Sequence, residues 1–594
     1  GGSGTSTDPY LISTPQQLAY LSYLVNNSST NSQYASLYYE QTANLDMSKY
    51  WWDAIGPNYN YAFMGHYNGN NYTISGIYTE SGNTSTYSYQ GLFGYVRGTS
   101  TNLAEIKYVS LTDSVIQGYQ YVAGVVGYAY YANIFNCDNS ATITATSNYV
   151  AGLIGFDVGT TVNENYNTGN ISGVEYVGGI IGNHAGEGIQ NCYNTGNIVG
   201  SSGYVGGIGG HIRILYGDFL EYCYNTGNIL GTNYVGGVVG RLECGTSGVA
   251  MHNCYNIGEV KGVDSYTGTG IGGVVGNLVQ YGWYAQYSFK ITNCYNTGLV
   301  DGVSNGDIAY VGGVVGLTGT AVRIDIMNCF NVGEVKGNDV VGGIVGYMND
   351  NASDTNCDMC YYGGDCDLNY GIGENYVGNS LNNGTTKIEN LNSTEYAKNE
   401  EWYTTPSNWS DNYPYGWELI EPWDFESVWQ IIKGINDGYP VLTELSVVTI
   451  SFDANGGSGT MAPMTVQINS TTTLSANTFT RTGYNFTGWS TSASGSVEYA
   501  NRDSITPTEN MTLYAQWSRI IYTIKYDKNA SDATGSMAST TKYYGTNVTL
   551  RSNAFKRTGY SFAGWATEKN GDVVYSNGAT YTANASVTLY AKWT

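Results

Sequence analysis

The chain repeats itself with a period near thirty residues, and no other feature narrows its possible folds as much. One phrase, Asn191-Cys192-Tyr193-Asn194-Thr195-Gly196, recurs at Asn165-Tyr166-Asn167, Tyr222-Cys223-Tyr224-Asn225, Asn253-Cys254-Tyr255-Asn256, Asn293-Cys294-Tyr295-Asn296 and Asn328-Cys329-Phe330-Asn331, with a weaker copy from Asn136-Cys137. A second phrase, YVGGIIG at Tyr176, recurs at Tyr121, Tyr149, Tyr204, Tyr234 and Tyr310, with variants ending at Gly276 and Gly346. Counted from Gly127, successive copies end 28, 27, 28, 30, 36, 40 and 30 residues apart. A fixed unit with loop insertions in two copies is the mark of a solenoid.

The units are rich in Val, Ile, Tyr and Thr, bounded by Gly and Asn, and too short for pairs of helices. They read as strands. Three short strands and three turns fit one unit, giving a parallel β-solenoid whose coils pair at roughly 4.8 Å. Equivalent residues then stack into columns. By the two-residue period, Cys192 and Asn194 share one side of the strand and Tyr193 the other. The Asn of the phrase is present in seven copies, at Asn139, Asn167, Asn194, Asn225, Asn256, Asn296 and Asn331. An inward column of amides can hydrogen-bond from coil to coil. The Cys beside it serves as a small apolar residue.

The two phrases together resemble the GLUG repeat of bacterial surface proteins, over residues 89–350. Residues 446–518 and 519–594 are a tandem duplication offset by 76 positions: Gly488-Trp489 answers to Gly564-Trp565, and Leu513-Tyr514-Ala515-Gln516-Trp517 to Leu589-Tyr590-Ala591-Lys592-Trp593. These two segments resemble Listeria-Bacteroides repeats, the B-repeat type of internalin-like surface proteins. The resemblance implies small β-grasp-like modules that act as stalks or interaction modules. The expected fold is therefore all-β: a right-handed parallel β-solenoid of GLUG-like repeats with N- and C-terminal caps, followed by two β-grasp-like modules.

The N-terminal cap spans residues 1–88. Its Gly-rich leader, residues 1–7, would be floppy unless tied down, and a neighbouring subunit is one candidate partner. Thr14-Pro15-Gln16-Gln17 has the form of a capping box, so a helix runs to about Val25 with Leu18, Leu21, Leu24 and Val25 on one side, able to plug the open end. Residues 351–445 lose the period and form the C-terminal cap, with the aromatic cluster around Trp423, Phe425, Trp429 and Tyr439 able to close the second end.

The formal charge of −24 argues against nucleic acid and against an anionic membrane surface. It is uneven: from residue 446 on there are 11 Lys and Arg against 8 Asp and Glu, a net of +3 that leaves −27 on the first 445 residues. No apolar run reaches the ~20 residues needed to span a bilayer. The absence of a signal peptide at Gly1 reads as a mature or trimmed form, and no LPxTG-like motif ends the chain.

Candidate sites are few. Cys137, Cys192, Cys223, Cys254, Cys294 and Cys329 occupy one repeat position and should stack as buried free thiols, because in-register neighbours point their Cβ vectors in parallel. Cys357, Cys360 and Cys366 have half the spacing of a zinc site, but no second pair or nearby His completes it, and a Cys360 to Cys366 disulfide or free thiols are the other readings. Asp358, Asp365 and Asp367 could bind calcium, though no EF-hand or GGxGxD pattern is present; no other cofactor is expected. The histidines, His66, His184, His211 and His252, form no HExxH. Polysaccharide lyases and glycosidases also use parallel β-helices and need paired carboxylates or a Lys or Arg base in a cleft; Asp218, Glu221, Glu243 and Asp264 are candidate acids, and no recurring spacing pairs them. An outward column, Tyr166, Tyr193, Tyr224, Tyr255 and Tyr295, could stack on sugar rings or a partner's aromatics, or on itself to stiffen the repeat. The YVGGIIG phrase carries apolar residues on both strand faces, so it is either covered within the molecule or an assembly surface.

The expected function is that of a non-catalytic, extracellular structural or adhesive protein of the bacterial surface. Its partner is a host or bacterial surface protein, a glycan, or a copy of itself in a filament. The alternative is a carbohydrate-active β-helix enzyme.

Overall fold

A computed structural model describes the chain apart from residues 81, 215–218, 246–247, 264–267, 281–288, 303–308, 320–323, 339, 350–355, 364–370, 376–384, 389–390, 392–396, 406–422, 433–435, 444–446, 468–470 and 509. It divides into two compact units, Gly1–Leu445 and Ser446–Thr594.

The first unit is a parallel β-solenoid built on five sheets of 12, 12, 10, 8 and 8 strands, in which each strand pairs with its counterpart one coil away. Each of the eight coils that contribute to all five sheets holds five short strands rather than the expected three. In the coil after Tyr176 they are Val177–Gly178, Ile181–Ala185, Ile189–Gln190, Tyr193–Asn194 and Ile198–Gly200. The extra division comes from corners. Two recur in left-handed backbone: one at the residue before the Cys position (Asn191, φ 52°; Asn253, φ 53°), the other at the Tyr that opens the second phrase (Tyr121, φ 56°; Tyr176, φ 57°). Asn adopts this region readily, whereas a bulky residue there is strained.

YVGGIIG is thus not one strand with two apolar faces. It bends at its paired glycines, so that Val177, Ile180 and Ile181 are all fully buried. The apolar residues of the phrase are covered within the molecule. They belong to one contiguous core running from Ile12 to Ile372; burying each Val or Ile side chain contributes about 1.5–3 kcal/mol.

The sheets outrun the sequence phrases. At the N-terminal end, Tyr10–Ile12, Tyr38–Gln41 and His66–Asn68 belong to one 12-stranded sheet, and Leu45–Asp46 and Thr73–Ser75 to the other. Past residue 350, Asn356–Asp358, Cys360–Gly363, Ile372–Asn375 and Thr385–Ile388 continue three of the sheets. The period disappears from the sequence there while the coil persists, because coiling needs inward apolar side chains and turns but not the full phrase. The helix Pro15–Asn26 has the expected capping box, and it buries Leu18, Leu21, Leu24 and Val25. The Gly-rich leader is held by its own chain: Leu11 N donates to Gly1 O at 3.2 Å and Tyr38 N to Gly4 O at 3.0 Å.

The second unit contains two copies of one module. In each, four strands lie in the order second, first, fourth, third with a parallel central pair: Val447–Asp453 beside Met511–Arg519, and Ile521–Asp527 beside Val587–Trp593. Trp489 and Trp565 are the fully buried centres of the two cores.

Candidate functional site

The inward column of the Tyr-Asn strands is the most regular polar feature of the molecule. The Nδ2 groups of Asn139, Asn167, Asn194, Asn225, Asn256 and Asn296 each donate to Oδ1 of the next Asn, at 2.8, 2.7, 2.7, 2.7, 2.8 and 2.8 Å, ending on Asn331. From Asn167 on, each Nδ2 also donates to the carbonyl of the Gly two residues later, as at Asn194 to Gly196 (2.8 Å) and Asn331 to Gly333 (2.9 Å). All seven amides are buried, and because each is satisfied the column avoids the desolvation penalty of an orphaned polar group. The second glycine of YVGG makes room both for it and for the next coil: a Cβ on Gly207 would sit 2.4 Å from Asn225 Cγ and 2.3 Å from Gly237 O, and one on Gly237 2.3 Å from Asn256 Cγ and 2.1 Å from Gly273 O. Leu111 and Tyr362 close the column at its two ends. Beside it, Cys137, Cys192, Cys223, Cys254, Cys294 and Cys329 are buried free thiols. Burial pushes the Cys137 thiol up to about 12 and raises Cys192, Cys254 and Cys329 as well, whereas at Cys223 and Cys294 the same burial is outweighed by hydrogen bonds from the neighbouring thiols, which lower both to about 5.

The Tyr column differs from the expectation. Tyr166, Tyr193, Tyr224, Tyr255, Tyr295 and Phe330 do stack, with centroids 4.4, 5.0, 4.8, 4.9 and 4.7 Å apart. Only Tyr166 and Tyr193 are half-exposed, however; Tyr224, Tyr255 and Tyr295 are buried. The aromatic cluster expected to close the second end lies on the flank instead, over this column. Trp429 packs 6.0 Å from both Tyr255 and Tyr295, and its Nε1 donates to Asn253 Oδ1 at 3.2 Å. Tyr295 donates its hydroxyl to Pro440 O. An aromatic row is itself a large apolar surface, and the chain covers it with its own tryptophans.

A second aromatic row, absent from the sequence reading, is formed by the Tyr that opens each YVGG phrase. Tyr89, Tyr121, Tyr149, Tyr176 and Tyr204 stack at 4.9, 4.8, 4.9 and 4.9 Å, Tyr234 follows at 5.4 Å, and all six are half-exposed. Beside it run Tyr95, Tyr128 and Phe156, 4.6 and 4.9 Å apart. Its signal was the Tyr that opens six of the eight copies of the second phrase. Further along the same face, Glu243 accepts from Arg213 Nε at 2.9 Å and lies 3.1 Å from His211 Nε2. Burial alone would raise the Glu243 carboxyl, but the bonds from His211 and Arg213 outweigh it and hold it at about 2.

The remaining candidates have structural partners or lie outside the description. Glu221 pairs with His252 at 2.6 Å, and His66 stacks on Tyr38 at 4.2 Å. His184 and Asp157 form a pair 2.9 Å apart, both fully buried in the core. Asp218, Asp264, Asp365, Asp367 and Cys366 lie outside the described residues, as does the side chain of Asp358, so the Cys360 to Cys366 pairing and the calcium cluster fall there too. Among the described residues, no group of three or more His, Cys, Asp or Glu could hold a metal ion. Likewise, no described helix is long and apolar enough to cross a membrane.

These features define a parallel β-solenoid with two appended β modules. Residues 118–144 match the GLUG motif, and residues 449–516 and 522–592 match the Listeria-Bacteroides repeat domain; the chain carries both. A provisionally named membrane protein of Evansella cellulosilytica is 32% identical over 180 residues, 30% of this chain and 26% of the relative. Internalin H of Listeria monocytogenes is 29% identical over 115 residues, 19% of this chain and 20% of the relative. The chain thus spans about a quarter or less of these two relatives. A solved structure from Bacteroides ovatus, provisionally described as an immunoglobulin A1 protease, aligns over 74% of this chain and 94% of its own with 17% identity and a TM-score of 0.30.

Proposed function

We infer that the chain is a non-catalytic protein of the bacterial exterior, in which the solenoid serves as a stiff arm presenting its repetitive face to a partner other than itself. The observation that carries this reading is the unbroken amide column from Asn139 to Asn331, which ties seven coils into one hydrogen-bonded core. Repeats of the internalin type and the names of the relatives support placement at the surface.

Two features that would favour a fibre are accommodated within one chain. The Gly-rich leader is bonded to residues 11 and 38, and the apolar residues of YVGG turn inward. Support for a role without catalysis is that Glu221 and Glu243, the two described acids among the glycosidase candidates, are each committed to ion pairs.

Negative-stain electron microscopy over a range of concentrations, with antibody labelling of intact cells, tests the reading. The expected result is separate particles at every concentration and labelling without permeabilisation. Regular filaments would make a second copy of the chain the partner, and labelling only after permeabilisation would overturn the surface placement.

A further inference from the structure

The helix Pro15–Asn26 buries its leucines and turns Tyr20 and Tyr23 outward, 60% and 57% exposed, with their rings stacked 6.0 Å apart. Near it, the backbone sends two adjacent tryptophans in opposite directions. Trp52 is buried, its Nε1 bonded to Gly91 O at 2.9 Å, while Trp51 is 77% exposed and steadied edge-on by Tyr78 at 5.6 Å. An indole left this open is unusual, since tryptophan is on average highly buried.

Tyr23 and Trp51 line a hollow of 360 Å³, together with Asn26, Asn27 and Asp53. Its floor is fixed: Asn26 Nδ2 donates to Ala54 O at 3.0 Å and Asn26 Oδ1 accepts from Gly56 N at 2.8 Å. Its rim is not committed. The Asp53 side chain is exposed, and among the described residues neither its carboxylate nor the Tyr23 hydroxyl makes a hydrogen bond or ion pair. The hollow therefore offers an indole face, a phenol and a carboxylate around a space at the lower end of the range of small-molecule sites.

We propose that this hollow binds a neutral pyranose unit of a glycan. The indole offers an apolar plane to the C–H face of the ring, while the Asp53 carboxylate and Tyr23 hydroxyl meet its hydroxyl groups. The charge of −27 on the first 445 residues disfavours acidic sugars. A protein partner would need about 800 Å² on each side for a stable interface, whereas a single sugar is held by the hollow alone. The inference goes beyond the reading above and does not depend on where the protein resides.

The test is calorimetric titration of the full chain with cellohexaose, mannohexaose, chitohexaose and laminarihexaose, with hexagalacturonate as the acidic counterpart. Saturable binding of at least one neutral hexasaccharide is expected. Trp51→Ala should weaken it about tenfold or more, Trp51→Phe should restore part of the loss, and Asp53→Asn should weaken it without altering thermal unfolding. No binding of any neutral hexasaccharide by the unmodified chain, equal binding by Trp51→Ala, or preference for hexagalacturonate would each overturn the proposal. Failure to label intact cells would leave it standing.

Discussion

Asn194 donates one amide hydrogen to Asn225 Oδ1 at 2.7 Å and the other to Gly196 O at 2.8 Å, and Asn225 repeats the pattern toward Asn256 and Gly227. Removing one member therefore affects three others.

Asn225→Ala should leave the Asn194 amide, the Asn256 carbonyl and the Gly227 carbonyl each short of a partner in the core. A loss of about 2–5 kcal/mol is expected. Urea unfolding followed by circular dichroism measures it, with the exposed Asn197→Ala as a smaller comparison.

Gly237→Ala should act partly through the same column, because its Cβ would sit 2.3 Å from Asn256 Cγ as well as 2.1 Å from the carbonyl oxygen of Gly273 in the next coil. Since both substitutions disrupt one rung, the double variant Gly237→Ala with Asn256→Ala should lose less than the two single losses added. A coupling of more than about 0.5 kcal/mol is expected in a double-mutant cycle; strict additivity would mean that the close approach to Gly273 O, and not the amide column, is what requires the glycine.

Tyr176 holds φ 57° at its corner. Tyr176→Asn and Tyr176→Val both forfeit ring stacking, but Val is the wrong shape for left-handed backbone. Val should be less stable than Asn by about 1–2 kcal/mol. Thermal unfolding of the two variants compares them directly.

The Glu243 carboxyl, held at about 2 against its ordinary 4.5, contributes stability that is fully present above pH 4.5 and lost as the pH falls toward 2. Burial lowers the pKa of the neighbouring His211 below its ordinary 6.5, so protonation there also favours the unfolded chain as the pH drops. Glu243→Gln should therefore be less stable than the unmodified chain at neutral pH, with the gap closing between pH 4.5 and 2. Denaturant midpoints measured across that range decide it.

How much of this was legible follows from which forces repeat. The Asn column could be read from the sequence because an amide both donates and accepts, and a residue type kept at one position of a parallel stack meets itself. The Tyr166 to Tyr295 column was legible as a stack but not as a covered one. Its cover comes from Trp429 and Pro440, the latter 145 residues from the Tyr295 it bonds, and no periodic signal links such distant segments. The five strands of each coil were read as three because the corners rest on Tyr and Asn in left-handed backbone, where a sequence reading looks for glycine. Trp51 carried no signal either: nothing periodic marks it apart from Trp52, and the direction of each indole is settled only by the backbone between them.

The amide column also bears on how such a solenoid can change. Each rung takes one hydrogen bond from the coil before it and gives one to the coil after it, all in the same direction. Copying a unit brings in one donor and one acceptor and uses up one of each, so an added coil leaves no polar group stranded and a deleted one closes without a gap. Leu111 and Tyr362 need only remain the two stoppers. The length of the solenoid is thereby an adjustable quantity, raised by duplicating a unit or lowered by deleting one in increments of about 4.8 Å while the chemistry of every rung stays the same.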